Sequence, residues 1–250
     1  TADVSAGDAT DVVGRIGSKD VTKQSTIRET HAIGDVTGSS NVGGLVGTNI
    51  EDLVADSYAT VNVTGSSNVG GLVGANGNKT AFEKGGTIEN ATAGGTVTLA
   101  DDSPDPENLG GLVGQSFQGT IRQSNATGDV DGGDATNVGG LVGYNDAETL
   151  STIRQTYAAG AVDGGDNVGG LVGQNRNDLV TDSYAVGTVN GSASVGGLVG
   201  TNTGSNAKVN NSYAAGSVSG DSAGGLVGVK ESGATVHNAY WDTTETGHES

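Results

Sequence analysis

The pentapeptide Gly-Gly-Leu-Val-Gly recurs seven times, beginning at Gly43, Gly70, Gly110, Gly139, Gly169, Gly196 and Gly224, and a degenerate eighth copy reads Val13-Gly14-Arg15-Ile16-Gly17. Successive full copies are 27, 40, 29, 30, 27 and 28 residues apart. Self-similarity at this period is the mark of a solenoid or array, because one repeat cannot bury its own apolar face and neighbours must stack to do so. A second block lies between the pentapeptides and opens with Ile27, Val54, Ile88, Ile121, Ile153, Val180 or Val209. Nine residues later stands Val36, Val63, Val97, Val130, Val162, Val189 or Val218, without exception. A truncated eighth block opens at Val236.

Length varies only after the pentapeptide and after the block-ending valine. Between Val97 and Leu109 the insert 98–108 accounts for much of the longest step. Insertions belong in surface loops, so the constant blocks are packed and the variable segments are turns. Glycine at this density costs a helix about 1 kcal/mol per residue relative to alanine. The blocks are instead rich in Val, Ile, Thr and Tyr and bounded by Gly, Asn, Asp and Ser, which is the pattern of short strands between turns. The expected fold is all-β: a parallel β-helix, or β-solenoid, of about eight coils with two or three strands per coil. At about 4.8 Å per coil this makes a rod roughly 40 Å long.

Stacking places like residues over like. The predicted core ladders are the block-opening row from Ile27 to Val209, and the pentapeptide leucines Leu45, Leu72, Leu112, Leu141, Leu171, Leu198 and Leu226. Within the block, Ser or Thr precedes a variable position that is followed by Ala32, Ala59, Ala93, Ala126, Ala158, Ala185 or Ala214. Strand alternation gives these alanines and the closing valines one face and the variable position the other. That position reads His31, Tyr58, Thr92, Asn125, Tyr157, Tyr184, Tyr213 and Tyr240. The last four tyrosines are therefore expected to form an outward stripe, either a ladder that covers and stiffens the rod or a face for glycans or proteins. In the pentapeptide, adjacent Leu and Val are both apolar although neighbours in a strand face opposite ways, so a bend is expected there.

Composition sets the outer limits. With 33% hydrophobic residues, 4% aromatic and 46 glycines, the chain lacks material for one thick core, and only apolar residues in register can share a thin one. A net charge of −18 makes nucleic acid an improbable partner and fits either a solvated surface or adaptation to high salt, where ions screen dense carboxylates. Cysteine is absent, which excludes disulfides and thiolate metal sites. No apolar run approaches the roughly 18 residues of a membrane span. The segment 4–12 matches 130–138 in spacing, so residues 1–11 are expected to end a preceding repeat, 12–240 to form the solenoid and 241–250 to be a tail.

The pentapeptides, each following a Val-type residue and often preceding a residue plus Asn, as in Gly43 to Asn49, resemble the GLUG motif of bacterial and archaeal surface proteins. The ending Ala239-Tyr240-Trp241-Asp242-Thr243-Thr244-Glu245-Thr246-Gly247 is similar to the close of such arrays. The resemblance covers about residues 12–247. It implies an extracellular β-solenoid without catalytic residues, acting as a structural or adhesive segment of a secreted or cell-surface protein. Partners would be further domains of that protein, like subunits in a filament or surface layer, or glycans held by the tyrosine stripe.

Chemistry-bearing patterns are sparse. His31, His237 and His248 are too far apart to suggest a metal cluster or catalytic set, no GxxxxGK[ST] or HExxH occurs, and the acids change place from coil to coil. No catalytic residue is assigned. The turns bearing Asp131, Asp134, Asp163 and Asp166 offer oxygen ligands suited to Ca²⁺, yet Asp-Gly is equally what a plain turn wants. Calcium is thus the one cofactor considered. Six N-x-[ST] sequons, at Asn62, Asn78, Asn90, Asn125, Asn190 and Asn210, are candidate glycosylation sites.

Overall fold

The computed structural model describes residues 4–5 (backbone only), 25–101, 103–147 and 152–247. The degenerate pentapeptide at 13–17, Asp102 of the insert and His248 lie outside them. Every pairing among the named strands is parallel and joins one coil to the next, as in Ile121↔Ile153↔Val180↔Val209. The solenoid has three faces. An eight-stranded sheet carries the block-opening row, a seven-stranded sheet carries the segment after each pentapeptide bend, and a long sheet carries the rest. One coil shows the course of the chain: Leu179–Thr181 on the short face, Tyr184–Ala185 and Val189–Gly196 on the long face, then Val199–Thr203 on the second face. Three strand directions per coil resolve the choice between two and three.

The core is the space enclosed by these faces. Ile88, Ile121, Ile153, Val180, Val209 and the leucines from Leu45 to Leu198 are fully buried, as are Ala59, Ala93, Ala126, Ala185 and the valines from Val63 to Val189. Ile27 and Leu226, towards the ends, are slightly less covered. The chain bends at Gly44–Leu45 and at each equivalent, so Leu and Val both face inward from different sheets. The paired glycines are required by space. A Cβ on Gly139 would lie 2.1 Å from the Val142 carbonyl oxygen, and one on Gly140 would meet the Gly170 oxygen at 2.2 Å and the Ala158 Cβ at 2.9 Å.

Corners are made by non-glycine residues in the left-handed region. Glu29, Asp56, Asn90, Gln123, Gln155, Asp182, Asn211 and Asn238, with φ between 45° and 55°, turn each coil from the short face to the long face. Where the next residue is serine, it secures the corner. The buried Ser183 hydroxyl donates to the Thr181 carbonyl at 2.7 Å and accepts from the Thr156 amide of the preceding coil at 3.1 Å, and Ser57 and Ser124 do the same. Backbone groups that a sharp corner withdraws from the sheet are thereby satisfied.

Two asparagine ladders run beside the core. In the partly buried one, Asn68, Asn108, Asn137 and Asn167 each donate to the asparagine of the coil before at 2.9–3.0 Å. The other is fully buried: Asn145 donates to Asn175 at 3.0 Å and Asn175 to Asn202 at 2.8 Å. At the C-terminal end Trp241 stands in register with Ala214 and packs on the core, and the helix Thr243–Thr246 follows, capped by Asp242 and closed by Gly247 at φ 73°.

Candidate functional site

The position opposite each alanine is in register through all eight coils, from His31↔Tyr58 to Tyr213↔Tyr240. His31 stacks on Tyr58 with centroids 5.3 Å apart. Tyr157, Tyr184 and Tyr213 stack at 5.1 and 5.0 Å with rings within 6° of parallel. Tyr240 continues the register and is mostly exposed. This arrangement limits what the stripe can do: stacked rings cover each other's faces and present edges and hydroxyls outward. Burial in the stack, and then the neighbouring Tyr213 and Tyr157, push the Tyr184 phenol above its ordinary pKa.

Asp131 and Asp163 are register neighbours, while Asp166 aligns with Ala193 and Asp134 sits on a turn. All four are exposed, and among the described residues no group of three or more His, Asp or Glu side chains is placed to hold a metal ion. The structure therefore pairs two of the proposed calcium ligands and does not assemble the four. His31 and His237 lie on different faces. None of the six sequon asparagines is buried. Asn62, Asn90 and Asn190 are exposed, and Asn62 and Asn90 donate to Asp35 and Asp56 of neighbouring coils at 3.0 and 2.7 Å.

One constellation escaped the repeat-based analysis because it lies where the repeat is broken. After the strand Val73–Asn76 the chain leaves the second face in a short hairpin closed by Asn78 and Glu83, and the hairpin overhangs the next coils. Lys79 reaches across Tyr144, its ammonium 4.8 Å from the ring centroid, 2.8 Å from the phenol oxygen and 2.9 Å from Asp146 Oδ2. The Tyr144 hydroxyl donates to Asp146 at 3.0 Å, and Arg176 approaches the same carboxylate at 3.7 Å. Burial works against the Lys79 charge, but hydrogen bonds to Tyr144 and Asp146 outweigh it and raise its pKa. A hydrogen bond with Tyr144 and the charge of Asp146 raise that of Arg176. Phe82, at φ 56° and 68% exposed, meets the buried Phe117 edge to face at 6.4 Å. Together these groups line a cleft of about 530 Å³. The signal available in the sequence was the placement of Lys79 and Phe82 in an insert outside the ladder positions, whereas Arg176 occupies a ladder position in register with Asp146 and Thr203. A larger concavity of about 720 Å³, beside Glu51, Lys84 and Arg122, has no aromatic residue in its lining.

Comparison with known proteins finds the same repeat in other sequences. Residues 38–64, 65–98, 105–131 and 164–190 match the model of the GLUG motif. Over 175 residues, 69% of the chain, it is 40% identical to halomucin of Haloquadratum walsbyi, covering 2% of that protein. Over 57 residues, 23% of the chain, it is 40% identical to a protein of Evansella cellulosilytica described as a Gly-rich membrane protein, covering 6% of it. The chain thus spans only a small share of the relatives it matches. No solved structure matches.

Proposed function

Because the chain is a GLUG-repeat protein folded as a parallel β-solenoid, we propose that it serves as a non-enzymatic spacer, a stiff segment of a much longer secreted or cell-surface protein from a salt-loving microbe. The observation that carries this is the continuity of the ladders. Aliphatic rows run from coil to coil, joined over most coils by asparagine and serine rows, so each described coil is held by its neighbours, as in other solenoids. Similarity to halomucin and the net charge of −18 support the surface location and the salt adaptation. The stacked tyrosines fit the same role, since mutually covered rings stiffen a surface better than they grip a ligand. Stacking of further coils is less favoured beyond Tyr240, where Trp241 packs on the core in place of the alanine row. Electron microscopy of the full-length protein tests the proposal: this segment is expected as a straight, unbranched stretch of constant width, and a flexible or globular outline there would overturn it.

A further inference from the structure

The cleft under the Asn78–Glu83 hairpin combines features that a spacer does not need. Phe82 is one of two phenylalanines in the chain and is held out to solvent, steadied from behind by the buried Phe117. Phe82 alone would need no explanation, but here it lines a concave cleft together with charged and amide groups. Lys79 and Arg176, from a total of 11 basic residues, converge on the single carboxylate of Asp146. In the lining itself two cations face one carboxylate, while Glu231, held by the Thr203 hydroxyl outside the lining, acts on Arg176 from the next coil. Asn177, Ser205 and Asn206 add amides and a hydroxyl to the lining. Its volume lies in the range of small-ligand sites.

We propose that this cleft binds an acidic sugar, a hexuronate unit of a polysaccharide. A pyranose ring offers an apolar C–H face for Phe82 and hydroxyls for the amides and Asp146, while its carboxylate suits the planar fork of Arg176, whose side chain is about half exposed. Lys79 adds a second positive charge on the other side of Asp146 Oδ2 from Arg176, within reach of the same ligand carboxylate. The tyrosine stripe, on another face, takes no part.

The test is isothermal titration of the 250-residue chain with tetragalacturonate, at a potassium chloride concentration where circular dichroism shows it folded. Saturable binding is expected, weakened at least tenfold by Phe82→Ala and by Arg176→Gln and unchanged by Tyr184→Ala, with no measurable binding of neutral maltotetraose. The proposal is overturned if tetragalacturonate does not saturate, if both cleft variants bind as the unaltered chain does, or if maltotetraose binds equally well. Should either cleft variant melt early, amide chemical shifts of the unaltered chain decide: changes centred on residues 79–82 and 176–177 support the site, and changes confined to other coils refute it. The spacer role stands under either result.

Discussion

Asn175 sits between Asn145 and Asn202 with its amide group fully used, accepting from the first and donating to the second and to the Asp178 carbonyl at 2.9 Å. Inside a dry interior each group stranded by its removal costs about 1–3 kcal/mol, so Asn175→Ala should lower the chemical denaturation midpoint well beyond the effect of truncating an exposed Asn190. The same row contains its own converse. Ser116 occupies the asparagine position between Asn76 and Asn145, and both the Ser116 hydroxyl and the Asn145 Oδ1 are buried without a hydrogen-bond partner. Gly119 has no Cβ there to displace the Asn76 amide, whose nitrogen lies 2.1 Å from where that carbon would be. Ser116→Asn is therefore predicted to rejoin the ladder and stabilise the fold by about 0.5–1.5 kcal/mol, and a lower midpoint in urea would refute this. Tyr184 supplies a pH test. Its folded pKa is raised above the unfolded value, so its contribution is complete below the ordinary phenol pKa of about 10 and is lost as pH climbs through the folded value. Ultraviolet titration should show one tyrosine ionising late, with stability falling above about pH 10 and Tyr184→Phe reducing that fall.

Elements in this chain are short, and their register matters more than their length. The block from Ile153 to Val162 turns a corner at Gln155 and still brings Ile153, Ala158 and Val162 inward, which fixes its nine-residue step. One glycine inserted between Ala158 and Val162 would rotate the closing valine out of the core and should unfold or severely destabilise the protein, because a one-residue slip exchanges strand faces. Two glycines inserted between the exposed Gly133 and Asp134 should change the melting temperature little. The period, the inward alanines and valines, and the bend in the pentapeptide were all legible in the sequence, since each follows from spacing alone. The serine corners and asparagine ladders were less so, because a polar residue in a Gly-rich stretch looks the same whether it faces water or the coil above. The Lys79–Phe82–Arg176 cleft was least legible. Its members are 97 residues apart at the extremes, and only the stacking of coils and the overhanging hairpin bring them together.

As a whole, the molecule is a thin core wrapped in carboxylates. Its charge of −18 is spread along the rod, and mutual repulsion acts on every coil. Raising potassium chloride from about 0.1 to 1 M shrinks the screening length from about 10 to 3 Å, so the melting temperature should climb across that interval. A flat profile would show that the acidic surface has no part in salt adaptation. All these expectations rest on one claim, that equivalent residues of successive coils lie directly above one another. The chain contains no cysteine, which allows a clean test. Asp163 and Asn190 are exposed register partners on adjacent coils, whereas Asp131 lies one coil further away. In-register Cα atoms at about 4.8 Å fall within disulfide range, and a two-coil separation near 10 Å does not. The chain carrying Asp163→Cys with Asn190→Cys is predicted to form an intramolecular disulfide readily under mild oxidation, and the chain carrying Asp131→Cys with Asn190→Cys is predicted not to. Equal cross-linking of both pairs, or failure of the first, would contradict the stacked-coil account.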